Sequence, residues 1–295
     1  MPKDNTRLGL LMMLGFCILA PASDAFAKIL GDGVPVLQVV IARFMVQLLL
    51  IRRNLWTRRR DTWMRGDRVG LVILRSALLL LAVTFLFLSL RYLPLADAIA
   101  IAYVMPFLVL GVGWLTGDRA SLLTLGLCLL GFVGTLMVVQ PSFSEIGWPA
   151  LLPIAVAIFF TGFMFITRKI SKYIDPIDLQ AANGICAMAI LLPIAIFGQA
   201  MEIPLLTIVS VSNIELLYLF GVGILGTLAH LMMTWALRFA SAPTVAPVQY
   251  LEIPFATLYG WLVFKDFPNG LAALGIVITI TAGLLVLRYS KNSVT

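Results

Sequence analysis

Ten times along this chain, a run of about twenty mostly apolar residues is bounded by charged or turn-forming gaps. The runs lie near 8–30, 35–52, 69–91, 94–116, 122–140, 147–167, 178–199, 215–239, 243–264 and 269–288. A bilayer core about 30 Å thick is crossed by about 20 helical residues. Inside it every backbone N–H and C=O must find a partner within the protein, so only helices and closed barrels span it. Barrel strands would be about ten residues long and would alternate in polarity. These runs are twice that length and apolar all round, which predicts an all-α membrane protein with ten transmembrane helices. Only 12% of the residues are charged, against about a quarter in soluble domains. A water-soluble enzyme or regulatory domain is thereby excluded.

The connections carry helix-stop and helix-start residues: Gly31 and Gly33 before Pro35, then Pro94, Pro141–Ser142, Asp175–Pro176, Pro243 and Pro268–Asn269. If both termini face the cytoplasm, the cytoplasmic segments hold 16 of the 21 Lys and Arg and the opposite side holds 3. The positive-inside rule then places both ends in the cytoplasm of a cytoplasmic-type (inner) membrane. The net charge of +7 is a topology signal, so no nucleic-acid partner is expected; the bilayer and a small-molecule substrate are, with the chain as monomer or homodimer. The first run, with Lys3, Arg7 and the Ala-rich residues near 20–27, has the look of a signal peptide. Removing it leaves nine spans and spoils the parity.

The second half repeats the first. Pro106, Gly113-Trp114-Leu115, Asp118, Gly126 and Gly134 recur as Pro254, Gly260-Trp261-Leu262, Asp266, Gly275 and Gly283, at offsets of 147 to 149 residues. Pro35 to Gln38 and Pro176 to Gln180 add a weaker match. Residues 1–146 and 147–295 therefore form two five-helix repeats, and five being odd, the second enters the membrane from the opposite side. Inverted repeats suit secondary transporters, because two pseudo-symmetric halves can expose one central site to each side in turn. The alternative is a non-transporting membrane protein such as a receptor or assembly factor.

Several chemistries find no support in the chain. Cys17, Cys128 and Cys186 are scattered in apolar stretches and read as packing residues. His230 is the only histidine, so neither a His-based metal site nor a bound cofactor is expected. The string Gly221-Val-Gly223-Ile-Leu-Gly226 follows no strand and reads as close helix packing. HExxH, GxSxG and Walker-type strings are absent; no catalytic residue is assigned and the chain is not read as an enzyme.

Ionisable groups at bilayer depth mark interior surfaces and pathways. Asp24 and Arg43 lie on consecutive antiparallel spans at similar depth. Two roles fit them: a buried ion pair that fixes packing, or a pair that holds the ammonium and carboxylate of a zwitterion. Arg75, near the cytoplasmic end of span 3, is expected to snorkel to the interface. Asp97, in the first turn of span 4, suits the positive helix end. Span 9 is the richest, with Gln249, Tyr250 and Glu252 between Pro247 and Pro254. Such prolines make a hinge or a ligand-facing break. Glu252 has no local basic partner and is the candidate proton carrier. The candidate substrate-binding set is Asp24, Arg43, Gln38, Tyr103, His230, Trp235, Gln249 and Tyr250. Trp114 and Trp261 read as interfacial anchors, and Trp56 and Trp63 as lipid contacts of the basic loop.

The stretches Leu93-Pro94-Leu95-Ala96-Asp97-Ala98-Ile99-Ala100 through Pro106, and Ala240-Ser241-Ala242-Pro243 through Leu251-Glu252-Ile253-Pro254, resemble the two signatures of the drug/metabolite transporter superfamily, EamA type. The family's copies usually close the fourth and ninth spans with Gly-Glu; here the pairs are Gly117-Asp118 and Lys265-Asp266. The resemblance implies ten helices, a central cavity between the halves, and proton-coupled or facilitative movement of small organic solutes. The mixed-sign set of Asp24 and Glu252 against Arg43 points to a small polar or zwitterionic metabolite, such as an amino acid or related amine, moved by alternating access.

Overall fold

The structure, a computed structural model, describes residues 5–31, 33–57, 68–93, 95–117, 121–140, 147–203, 206–265 and 269–289. These residues are helix and connecting loop, with no strand among them. In chain order the helices are α1 Thr6–Leu30, α2 Val36–Thr57, α3 Val69–Ser89, α4 Leu95–Ala102, α5 Met105–Thr116, α6 Leu122–Val139, α7 Leu151–Ser171, α8 Pro176–Ala200, α9 Asn213–Phe239, α10 Ala242–Val245, α11 Glu252–Tyr259 and α12 Gly270–Tyr289. Short polar residues start several of them. Asn5 accepts from the Leu8 N–H, Ser121 from Thr124 and Asp175 from Ile177, while Ser212 and Glu215 form a capping box.

Each run maps onto one crossing, and the fourth and ninth crossings are broken. In the fourth, α4 stops at Ala102 and α5 begins at Met105, with Pro106 in its first turn. Proline has no N–H to give the carbonyl one turn back, and its ring crowds that carbonyl. In the ninth, a 3₁₀ segment, Ala246–Leu251, begins with Pro247 in its first turn and leads into α11, which carries Pro254, and a π-helical turn, Gly260–Phe264, follows. Both broken crossings end on a left-handed residue, Gly117 at φ +85° and Lys265 at φ +64°.

The packing follows the duplication. Helix α1 lies along α9 and α3 along α7, two pairings that interchange when the repeats are swapped; α2 pairs with α8, and α6 with α12. At the α6–α12 crossing the backbones are so close that a Cβ on Gly275 would stand 2.5 Å from the Gly134 carbonyl oxygen. At the end of the bundle where α1 begins, the Asn5 N–H donates to the Phe239 carbonyl and Arg168 donates to the carbonyls of Leu237 and Arg238. At the opposite end Lys28 donates to the Leu93 carbonyl and Arg91 to that of Val34. The core runs between the halves around Met13, Phe44, Phe163, Met233 and Tyr250.

The outer surface is apolar. Leu129, Val133, Ile194, Phe197, Val277 and Leu284 are exposed along the helix flanks, a continuous apolar face that water would not tolerate and acyl chains would cover. Among the described residues five helices are long and apolar enough to cross a membrane by themselves: α1, α3, α8, α9, and α7 with the 3₁₀ turn before it. Trp114 and Trp261 are exposed at the ends of the broken crossings, as expected of interfacial anchors. The side chains of Trp56, Trp63 and Asp97 lie outside the described residues.

Candidate functional site

Between the halves lies a cavity of about 70 Å³. Its walls come from both repeats: Phe16, Ser23 and Asp24 of α1, Arg43 of α2, Phe87 of α3 and Tyr103 from the break of the fourth crossing. From the second repeat come Phe160 of α7, Gly226 and His230 of α9, and Glu252 at the start of α11. Asp24 sits in the last two turns of α1 and Arg43 in the first two of α2. At 1.5 Å per residue the cavity thus lies roughly 10 Å in from the end opposite the start of α1.

Asp24 and Arg43 both line the cavity, yet no hydrogen bond or ion pair joins them. Arg43 turns instead toward α9, where Nη2 lies 2.9 Å from His230 Nδ1 and 3.4 Å from the Gly226 carbonyl oxygen. The same Nδ1 lies 3.1 Å from the Gly226 carbonyl oxygen, so it accepts from Arg43 in the Nε2–H tautomer and donates to Gly226 in the Nδ1–H tautomer. Gly226 makes room for this: a Cβ there would stand 3.0 Å from the Arg43 Cζ. Buried Nη1 of Arg43 and Nε2 of His230 have no hydrogen-bond partner. The rings of Phe16, Phe160 and Phe163 surround the imidazole at centroid distances of 5.6, 5.9 and 6.2 Å.

Across the cavity the two helix breaks meet. The Tyr103 hydroxyl oxygen is 2.5 Å from the Gln249 carbonyl oxygen and 2.6 Å from Glu252 Oε2. Tyr250 lies behind Tyr103 at 5.3 Å between ring centroids. The Gln249 carbonyl that meets Tyr103 belongs to the 3₁₀ segment Ala246–Leu251, which carries Pro247 in its first turn. The side chains of Gln249 and Tyr250 are fully buried behind the wall, and Gln249 Nε2 faces Met164 Sδ at 3.7 Å.

Two other candidate residues lie away from the cavity. The Gln38 side chain exchanges two hydrogen bonds with the backbone of Val209, at 2.9 and 3.0 Å, and pins the loop before α9 to the head of α2. Trp235 stacks on Phe239, with Arg238 over its ring at 5.3 Å. The aromatic walls, Phe16, Phe87 and Phe160, carried no signal in the sequence, because phenylalanine in an apolar run reads alike whether it meets lipid, core or cargo.

Arg75 does not snorkel. It is fully buried toward the end of the bundle at which α1 begins, where it donates to Thr167 Oγ1 at 2.7 Å, Asn183 Oδ1 at 2.7 Å, Thr234 Oγ1 at 3.0 Å and the Leu179 carbonyl at 3.3 Å. Its guanidinium also lies 4.6 Å from the Phe163 ring centroid. The stem that was to reach the interface is held inward because α7, α8 and α9 each present an acceptor to it. One side chain therefore joins four helices from both repeats beneath the cavity.

Ten crossings in two inverted repeats, closed around an internal cavity with groups of both charge signs, define a membrane transporter architecture. The chain belongs to the EamA-like transporter family, whose model matches it twice, over residues 7–140 and 147–288. It is 24% identical over 294 residues to a riboflavin transporter of Vibrio cholerae, covering 98% of this chain and 96% of the relative. It is 25% identical to the pseudopaline exporter CntI of Pseudomonas aeruginosa, over 98% of both chains. It is 24% identical to an S-adenosylmethionine uptake transporter of Rickettsia felis, over 94% of this chain and 92% of the relative. A solved crystal structure with 17% sequence identity superposes with a TM-score of 0.73 over 95% of each chain. The chain is a multi-pass membrane protein of a family of small-metabolite transporters.

Proposed function

We propose that this protein is a secondary transporter that carries a small zwitterionic metabolite, an amino acid or related amine, across the cytoplasmic membrane by alternating access, with both termini in the cytoplasm. Relatives named for riboflavin, pseudopaline and S-adenosylmethionine share the architecture, so the choice of cargo rests on the cavity walls. The observation that carries it is the separation of Asp24 from Arg43. One cavity presents a carboxylate to which no hydrogen bond is made and a guanidinium with an unpartnered Nη1, the two within electrostatic reach of each other. A zwitterion satisfies both at once, its carboxylate on Arg43 and its ammonium on Asp24. The aromatic walls take the apolar body. Glu252 is the proton carrier: buried in one conformation and hydrated in the other, its affinity for a proton changes with the state of the transporter.

Ligand binding stabilises a folded protein by mass action, so the first test is thermal unfolding of the purified protein with amino acids, their decarboxylated amines and their N-acylated forms. The zwitterions are expected to raise the midpoint and the two single-charge series to do so far less. Equal stabilisation by all three would remove the zwitterion reading. The second test is uptake by vesicles containing only this chain. Glu252→Gln, which keeps the shape but holds no exchangeable charge, should still exchange substrate yet fail to accumulate it under a pH gradient. Absence of uptake of every stabilising ligand would favour a receptor or assembly factor.

A further inference from the structure

The oxygens around Tyr103 constrain where a proton sits. Its hydroxyl carries one hydrogen, and two oxygens crowd it: the Gln249 carbonyl at 2.5 Å and Glu252 Oε2 at 2.6 Å. A carbonyl oxygen never donates. With Glu252 ionised, a single hydrogen would serve two short oxygen–oxygen contacts and one pair would face each other with no hydrogen between them. With Glu252 protonated, both contacts become ordinary hydrogen bonds running one way, from the carboxyl to the Tyr103 oxygen and from the Tyr103 hydroxyl to the Gln249 carbonyl. Both distances match O–H···O bonds at the short end of their range.

We propose that this conformation holds Glu252 in its protonated form and that Tyr103 is the positioning residue that passes the state of that proton to the two helix breaks. When Glu252 loses its proton, the Tyr103 hydroxyl turns to donate to the carboxylate, because a hydrogen bond to an ionised acceptor is about twice as strong as one to a carbonyl. The Gln249 carbonyl then loses its bond to the fourth crossing. That carbonyl lies in the 3₁₀ segment of the ninth crossing and Tyr103 in the gap between α4 and α5, so the rearrangement acts where both crossings are already interrupted. The titratable groups sharing the surroundings of Glu252 are Cys17 and Asp24 of α1, Tyr103, Tyr250 of the 3₁₀ segment and, on the cavity wall, Arg43 and His230. Among the described residues no cation is bonded to Glu252. The inference rests on Glu252 as the proton carrier of the proposed function.

Infrared difference spectroscopy of the purified protein tests it without any substrate, so its outcome is separate from the outcome of the transport assays. At neutral pH the wild-type protein should show a protonated-carboxyl C=O band that is lost in Glu252→Gln. Raising the pH should remove the band and, in the same step, shift a tyrosine C–O band. In Tyr103→Phe, which lacks only the hydroxyl, the carboxyl band should move in frequency and the accompanying tyrosine signal should vanish. A wild-type protein with no carboxyl band assignable to Glu252 overturns the proposal, as does a Tyr103→Phe spectrum identical to wild type. Should Tyr103→Phe fail to fold, the simultaneous loss of the carboxyl band and shift of the tyrosine band in wild type still decides, and their occurrence at separate pH values overturns it.

Discussion

Arg43 Nη2 lies 2.9 Å from His230 Nδ1, a contact between α2 and α9 made in place of a hydrogen-bonded bridge to Asp24. The guanidinium keeps its charge and anchors to a neutral ring. The carboxylate of Asp24 remains available to a ligand.

The first prediction concerns that separation. Asp24→Asn should leave thermal stability within about 0.5 kcal/mol of wild type, because the carboxylate accepts no hydrogen bond from the protein, while binding of an amine-bearing ligand falls at least about tenfold. Arg43→Lys should weaken carboxylate binding by a similar factor, since an ammonium reproduces neither the planar fork nor the bond to His230. Calorimetric binding and unfolding measurements on the two variants check both. A large loss of stability in Asp24→Asn would restore the ion-pair reading.

The second concerns Arg75. Its four hydrogen bonds reach α7, α8 and α9, and an ammonium cannot span acceptors spread around a guanidinium plane. Arg75→Lys should cost at least about 2 kcal/mol of stability. Unfolding in detergent measures it. Affinity for ligand in the fraction that remains folded should change little, because Arg75 is not on the cavity wall.

Two backbone positions give opposite outcomes. Gly275→Ala places a Cβ against the Gly134 carbonyl and should cost about 1–3 kcal/mol by prising α6 from α12. Gly126→Ala meets nothing within 4 Å and should be neutral or slightly stabilising. Lys265→Gly should stabilise by up to about 1 kcal/mol, since φ +64° suits the glycine found at the matching Gly117. Thermal unfolding of the three variants is the measurement.

Orientation is tested by labelling single cysteines in a background lacking Cys17, Cys128 and Cys186. Ser171, a natural first choice at the end where α1 begins, is fully buried and would stay unlabelled from either side. Tyr173 and Ile208 are exposed at opposite ends. With an impermeant reagent on intact cells, a cysteine at Ile208 should react and one at Tyr173 should not; the reverse pattern would invert the topology.

Which crossings exist, that they fall into two inverted repeats, and that Pro106 and Pro254 mark special places were all legible in the sequence. Apolar run length and proline chemistry are local properties, and duplication preserves spacing. Asp24, Arg43, Tyr103, His230 and Glu252 were legible too, since a polar group at bilayer depth is rare and must face the interior. The partnerships were not. Whether Arg43 meets Asp24 or His230, whether Arg75 reaches the interface or folds back onto Thr167, Asn183 and Thr234, and whether Gln38 faces cargo or pins Val209 depend on how the helices rotate and on which glycine, such as Gly226, leaves room for a side chain. Those rotations are set by packing between segments more than a hundred residues apart in sequence. The tertiary structure alone decides them, because a helix carries its polar groups on a face that only its neighbours orient.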